Sequence, residues 1–324
     1  MKKVIEIGLT VLVVVLASAC CACAPEREPE GFSIPKADII YQALNNQLGA
    51  PGGGMAESNN LIGFVNADGT GNTLIRLGRR AYRPVFSLEA GGLFFHENVV
   101  EDPNLLGGGG STYFLSGSGI YTYCDSLYDE GFVFPVRGAG YLLESDGGNI
   151  DLVDMKTCKV IKRLVEIPNE APWVKSVDSA YPSSFGKSII FTETYRLPWH
   201  HVIYIMDIET EAVREVLQGG YNASFSPNDQ RIAYVGDNGI YIANADGTGS
   251  KLVVRIDFSS YSPYANNIEI PYPFWSSDGT TLVYHKCNTE DCQDLSDFSI
   301  YKVDVNSGVE QKIVDGGLYP VWIR

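Results

Sequence analysis

The chain has 324 residues, 45% of them hydrophobic, with 24 basic residues against 39 acidic ones and a formal net charge of −15. That apolar content excludes wholesale disorder, and so acidic a surface excludes nucleic acid as a partner, because it repels phosphate backbones. The 34 glycines, 19 tyrosines and 16 prolines suit many short strands joined by turns, not helices.

In chain order, residues 1–19 read as an export signal. Met1-Lys2-Lys3 is a short positive start, and Ile7 to Ala19 is a run of apolar and small residues, shorter than the roughly 20 that cross a bilayer comfortably. Ala17-Ser18-Ala19-Cys20 has the form of a bacterial lipoprotein cleavage site, with the usual leucine shifted to Leu16. Cys20 would then be the lipid anchor. An ordinary secretory signal cut after Ala-x-Ala is the alternative. Residues 20–35, with "APEREPEG", make a polar tether in which Cys21 and Cys23 are linker cysteines, and 36–324 make one domain. Because the acidic surface repels anionic headgroups, membrane contact would come through the lipid on Cys20 only.

From there the chain repeats itself. Aromatic openings recur as "YRPVF" at Tyr82, "FPV" at Phe134, "YPSSF" at Tyr181, "YNASF" at Tyr221, "YPFW" at Tyr272 and "YPVW" at Tyr319. Taking Pro84, Pro135, Pro182, Ala223, Pro273 and Pro320 as equivalent gives a period in the forties. With about four apolar runs per copy, that is the period of a β-propeller blade. Each copy also carries a second hairpin, as in "GFVNADGTGNTLI" (63–75) and "GIYIANADGTGSKLV" (239–253). These show period-two strands around an Asp/Gly turn.

The two ends complete each other. "YPVWIR" supplies a first strand; "KADIIYQ" (36–42), "NLIGFV" and "NTLIRL" supply a second, third and fourth. Joining them closes the ring and removes exposed edges. The expectation is an all-β fold: a six-bladed propeller of four-stranded antiparallel blades, closed by N-terminal strands on the C-terminal strand. Seven blades is the alternative, since residues 94–123 are long enough to hold irregular strands. A monomer is expected.

"FSPNDQRIAYVGDNGIYIANADGTGSKL" and "PFWSSDGTTLVYH…SIYKVDVNSG" resemble the TolB-type propeller repeat of exported bacterial proteins. The resemblance covers residues 36–324, most closely in the fourth and fifth copies. It implies the fold and an extracytoplasmic setting but hands over no activity. TolB itself has an α/β domain before its propeller, for which residues 20–36 leave no room, and prolyl-peptidase relatives have a hydrolase domain after theirs, where this chain ends.

Turns within the hairpins are short. The connections His96–Gly119, Glu166–Ala180, Thr192–His201, Ile256–Pro271 and His285–Asp297 vary. Long loops on one face of a scaffold are where binding sites gather. The partner-binding candidates are the aromatics of that face, Trp173, Tyr195, Trp199, His200, His201, Tyr261 and Tyr264, with "RLPWHH" (196–201) the densest stretch. The competing role for them is packing their own loops. Adjacent His200 and His201 would point to opposite faces of a strand, which argues against a shared metal.

Cys287 and Cys292 flank four residues and are expected to form a disulfide, with a zinc site including His285 as the alternative. Cys124 and Cys158 lie at related places in neighbouring copies, and their pairing stays open. The Asp-Gly pairs lack the spacing of a calcium loop and read as turns. No nucleophile, phosphate-loop or zinc-protease signature occurs. The functional expectation is a non-catalytic lipoprotein, without cofactor, whose loop face binds an envelope protein, peptide or glycan. The alternative is a propeller enzyme (hydrolase, lyase or cyclase) with its site at the central channel.

Overall fold

The computed structural model describes residues 35–43, 61–77, 82–87, 90–98, 110–116, 119–125, 132–145, 148–167, 175–196, 198–258, 270–288 and 297–323. Blade one takes β1 (Ile39–Ala43), β2 (Leu61–Val65) and β3 (Thr73–Arg76) from the N-terminal side. Blade two is β4 (Tyr82–Ser87), β5 (Gly92–Asn98), β6 (Gly110–Ser116) and β7 (Gly119–Asp125). Blade three is β8 (Phe132–Val136), β9 (Tyr141–Ser145), β10 (Asn149–Asp154) and β11 (Val160–Glu166). Blade four is β12 (Lys175–Pro182), β13 (Ser188–Arg196), β14 (Trp199–Asp207) and β15 (Val213–Gln218). Blade five is β16 (Tyr221–Phe225), β17 (Arg231–Gly236), β18 (Gly239–Asn244) and β19 (Lys251–Arg255). Blade six is β20 (Phe274–Trp275), β21 (Thr281–Cys287), β22 (Phe298–Asp304) and β23 (Glu310–Asp315). The last strand, β24 (Gly317–Trp322), belongs to blade one, whose order is β24-β1-β2-β3.

The first strand of each blade touches those of its neighbours all the way round, β24 against β4, β4 against β8, and on through β12, β16 and β20 back to β24. The ring is therefore closed, with six blades. Burial follows position in the blade. Second strands such as "RIAYVG" are buried along all but their first residue, since neighbouring blades cover both faces, whereas outermost strands such as "VREVLQ" are largely exposed. Blade one is sealed by antiparallel pairing of Ile39 with Trp322 and Gln42 with Leu318. The Trp322 indole N–H donates to the Phe274 carbonyl at 3.2 Å, and Trp275 donates in the same way to the Ser224 carbonyl at 3.3 Å, so each tryptophan fastens its blade to the one before.

The structure corrects four expectations. Residues 94–123 hold β5, β6 and β7 of blade two, so there is no seventh blade, and β6 lies inside the stretch read as a loop from His96 to Gly119. The stretch Thr192–His201 is also no loop: β13 runs to Arg196 and β14 begins at Trp199. Pro135 and Pro182 pair with Leu142 and Ile189, the place held by Phe225 against Ile232 in blade five. They therefore stand one pleat further along their strands than Ala223 does. The strands are as expected, but the second and third openings align two residues away from the equivalence taken above.

On the axis, aromatic rings from opposite blades meet. Phe134 of blade three and Phe274 of blade six have centroids 6.2 Å apart, and Tyr181 of blade four sits 4.5 Å from the first and 5.2 Å from the second. Tyr272 continues the chain of rings to Tyr319 at 5.5 Å, over which the Arg83 guanidinium lies at 5.1 Å. Blades three and six face each other across the ring, so this contact closes the channel at that level. Burial holds the Tyr181 hydroxyl well above the ordinary tyrosine range, so it stays protonated. Beside Tyr272 and Tyr319, buried His285 accepts the Tyr319 backbone N–H at Nδ1, which fixes its ring as the Nε2–H tautomer.

The hairpin turns are held by aspartates. In the outer hairpins Asp154, Asp207 and Asp304 each accept the hydroxyl and backbone N–H of the Thr or Ser three residues on. The next residue, Cys158, Glu211 or Gly308, takes the left-handed backbone that ends the turn. Asp68, Asp246 and Asp278 bind the threonine two residues on in the same way. These hydrogen bonds, and at Asp278 first of all one from the Ser276 hydroxyl, hold all six carboxyls below the usual aspartate range. Because the folded pKa is the lower one, the contribution is complete above the unfolded value of about 4 and is lost as the pH falls through the folded values. A variant with Asp154, Asp207 and Asp304 all changed to Asn is therefore expected to lose less thermal stability than the parent between pH 5 and pH 2. Parallel Tm–pH curves would contradict this.

Candidate functional site

Blade four rises above its neighbour on the loop face. β13 and β14 have nine residues each, against six in β17 and β18 of blade five, which lifts their hairpin by about 10 Å at ~3.3 Å per residue. At the top, β12 reaches up beside it, pairing Lys175 with Tyr195 and Ser176 with Thr194.

Alternation along β13 sorts this crest into two faces. On one, Glu193 is buried and accepts both the Lys175 ammonium at 2.6 Å and the Tyr195 hydroxyl at 2.8 Å. The Tyr195 ring lies parallel to His200, its cross-strand partner, with centroids 4.5 Å apart and planes 5° off. Lys175 also sits 5.4 Å from the centre of the Tyr195 ring. Burial, then hydrogen bonding to Tyr204 and Glu193, pushes the Tyr195 hydroxyl far above its ordinary range, so it acts as a hydrogen-bond donor and not as an acid. The exposed His200 ring donates from Nδ1 to the Pro198 carbonyl at 2.7 Å, leaving Nε2 toward solvent. On the other face, His201 Nδ1 is 2.6 Å from the Thr194 hydroxyl, and its ring packs 4.9 Å from Tyr221 of blade five.

Of the seven sequence-derived candidates, the structure therefore brings Tyr195 and His200 together on one face and puts His201 on the other. Trp199 stands on β14 opposite Arg196, and its side chain lies outside the described residues, as do Trp173, Tyr261 and Tyr264. Sequence reasoning missed Lys175, Glu193 and Tyr204. The available signal was Glu193 itself, a charge set within the run "SIIFTETYR" at a position whose neighbours are buried. The crest is a rigid aromatic platform with a fixed carboxylate–ammonium pair beneath it. Such a surface is suited to binding, by stacking on the outer His200 face and hydrogen bonding at its edge.

Cys287, at the end of β21, is disulfide-bonded, and so is Cys158 in the turn after β10. Cys20, Cys21, Cys23 and Cys292 lie outside the described residues, as does the side chain of Cys124.

Closed ring, strand order and turn grammar define a six-bladed β-propeller, TolB-like in its fold. Residues 183–303, in blades four to six, match the family model of the dipeptidyl peptidase IV N-terminal region. TolB from Acinetobacter baumannii is 15% identical over 90% of this chain and 68% of that one, with a TM-score of 0.64. A structure described as TolB from Agrobacterium tumefaciens is 13% identical over 88% of this chain and 92% of that one, with a TM-score of 0.58. A chain of a nidogen/laminin complex is 9% identical over 89% of this chain and 98% of that one, with a TM-score of 0.60. At such identities the likeness is one of fold. No curated protein sequence matches the chain.

Proposed function

We propose that the chain is a non-catalytic, extracytoplasmic lipoprotein, anchored through Cys20, whose propeller binds an envelope protein, peptide or glycan on its loop face. What carries this reading is the contact of Phe134 with Phe274 across the axis. An enzyme centred on the channel needs an open path along it, and at the level of Phe134 and Phe274 rings meet instead. The raised crest of blade four, with Tyr195, His200 and the Lys175–Glu193 pair, then offers the better surface. The disulfides at Cys158 and Cys287 favour an oxidising compartment, as the signal-like residues 1–19 do.

The test is co-purification from solubilised envelopes using the full chain, parent against a Trp199→Ala, His200→Ala double variant. The parent is expected to retain a partner that the variant loses by about tenfold or more, the scale of an interface anchor. Equal recovery of every partner by both proteins would count against the crest.

A further inference from the structure

On the opposite face of the ring, built of short turns, two successive junctions differ. Between blades five and six, Arg231 opens β17 directly after a turn closed by the Ser226 N–H on the Arg231 carbonyl. Its guanidinium lies 4.6 Å over the Trp275 ring and donates to the Gly279 carbonyl at 2.6 Å, filling the gap. One junction back, Ser183 closes the same turn on the carbonyl of Ser188. Here the residue equivalent to Arg231 is Ser188, the ring equivalent to Trp275 is Phe225, and Asp229 stands for Gly279. A serine cannot reach across, and a hollow of about 320 Å³ remains, at the small end of ligand sites.

Its apolar lining is Ile205, Phe225 and Ala245, with Phe185 at the turn tip. Phe185 is 61% exposed, which makes it one of the few large apolar side chains left in water among the described residues. Lys187 and Arg214 also line it. Arg214 donates one N–H to the Ala245 carbonyl at 2.8 Å. Among the described residues neither cation forms an ion pair. The lining's single carboxylate, Asp229, accepts the Ser184 N–H at 2.9 Å. The two cations outnumber that one carboxylate in the lining, with Asp246 acting on Arg214 from just outside it.

We propose that this hollow is a second binding site, separate from the loop face, which takes the carboxylate-bearing end of an apolar ligand. The hydrocarbon or aromatic part would lie against Phe225 and Phe185, in the space Arg231 fills at the next junction. The carboxylate would accept hydrogen bonds from Lys187 and from the unused N–H groups of Arg214, the charge-assisted kind.

N-acetyl-L-phenylalanine is the probe, titrated into the full chain and followed by NMR chemical shifts. Saturable shifts are expected at Phe185, Phe225 and Ala245. N-acetyl-L-phenylalaninamide, of the same shape without the charge, should bind about tenfold more weakly, the factor for one charge-assisted hydrogen bond. Lys187→Glu, at an exposed side chain, should weaken the acid by a similar factor, and Ser188→Leu should block it by filling the hollow. Should Ser188→Leu fail to fold, Lys187→Glu carries the test alone. No saturable shift with the acid, equal binding of acid and amide, or tighter binding of phenethylammonium would each overturn the proposal.

Discussion

A chain lacking residues 317–324 is expected to show no cooperative unfolding transition. Those residues are the innermost strand of blade one. Without them Ile39, Ile40 and Tyr41, all fully buried, lose their cover on one side, β1 becomes an unpaired inner edge, and the strands of blades two and six that touch β24 are uncovered. Leu318 and Tyr319 are buried as well, and truncating even one such side chain costs about 2–5 kcal/mol. Two such losses, with a strand's hydrogen bonds, approach the ~5–15 kcal/mol that holds a whole domain. Circular dichroism against temperature is the measurement. A sigmoidal transition within about 5 °C of the parent would show that the first sheet does not need its last-made strand.

The second large effect is on the axis. Phe134→Ala removes a ring that touches Tyr181 and Phe274 where three blades converge. The cavity cannot collapse easily, because the blades around it are held apart by their own packing. A loss of about 3–5 kcal/mol is expected in urea unfolding, the range for a buried aromatic. Phe185→Ala, at an exposed turn tip, should change stability by no more than about 0.5 kcal/mol. Similar midpoint shifts for the two variants would mean that the axial rings are not a working part of the core.

Much of the fold was legible because a propeller writes its grammar locally. Asp-bearing turns and alternating strands announce most outer hairpins within fifteen or so residues, and the pairing of "KADIIYQ" with "YPVWIR" was readable from what each end lacked. The strand at Gly110–Ser116 was not, since "GSTYFLS" has small residues where β-branched ones would mark it. Nor was the crest of blade four: Pro198 reads as a loop signal, yet here it sits in a turn so tight that both strands continue to its edge. Tyr195 and His200 were legible as exposed aromatics, whereas their union with Glu193 and Lys175 depends on cross-strand register, which composition does not carry. The hollow beside Phe225 is illegible for a subtler reason. It exists as a difference between two junctions, and only the correct alignment of Ser188 with Arg231 brings it to light.

Sealing by β24 has a consequence for how the molecule comes into being. Ile39 meets Trp322 across nearly the entire length of the polypeptide, so the contact that shuts the circle is among the least local a chain of this size can make, and such contacts form slowly. While synthesis is under way, blades two to five can assemble one after another, but blade one waits. A polypeptide passing N-terminus first through a narrow conduit would therefore not lock before its tail has emerged, and the completed torus appears only on the far side.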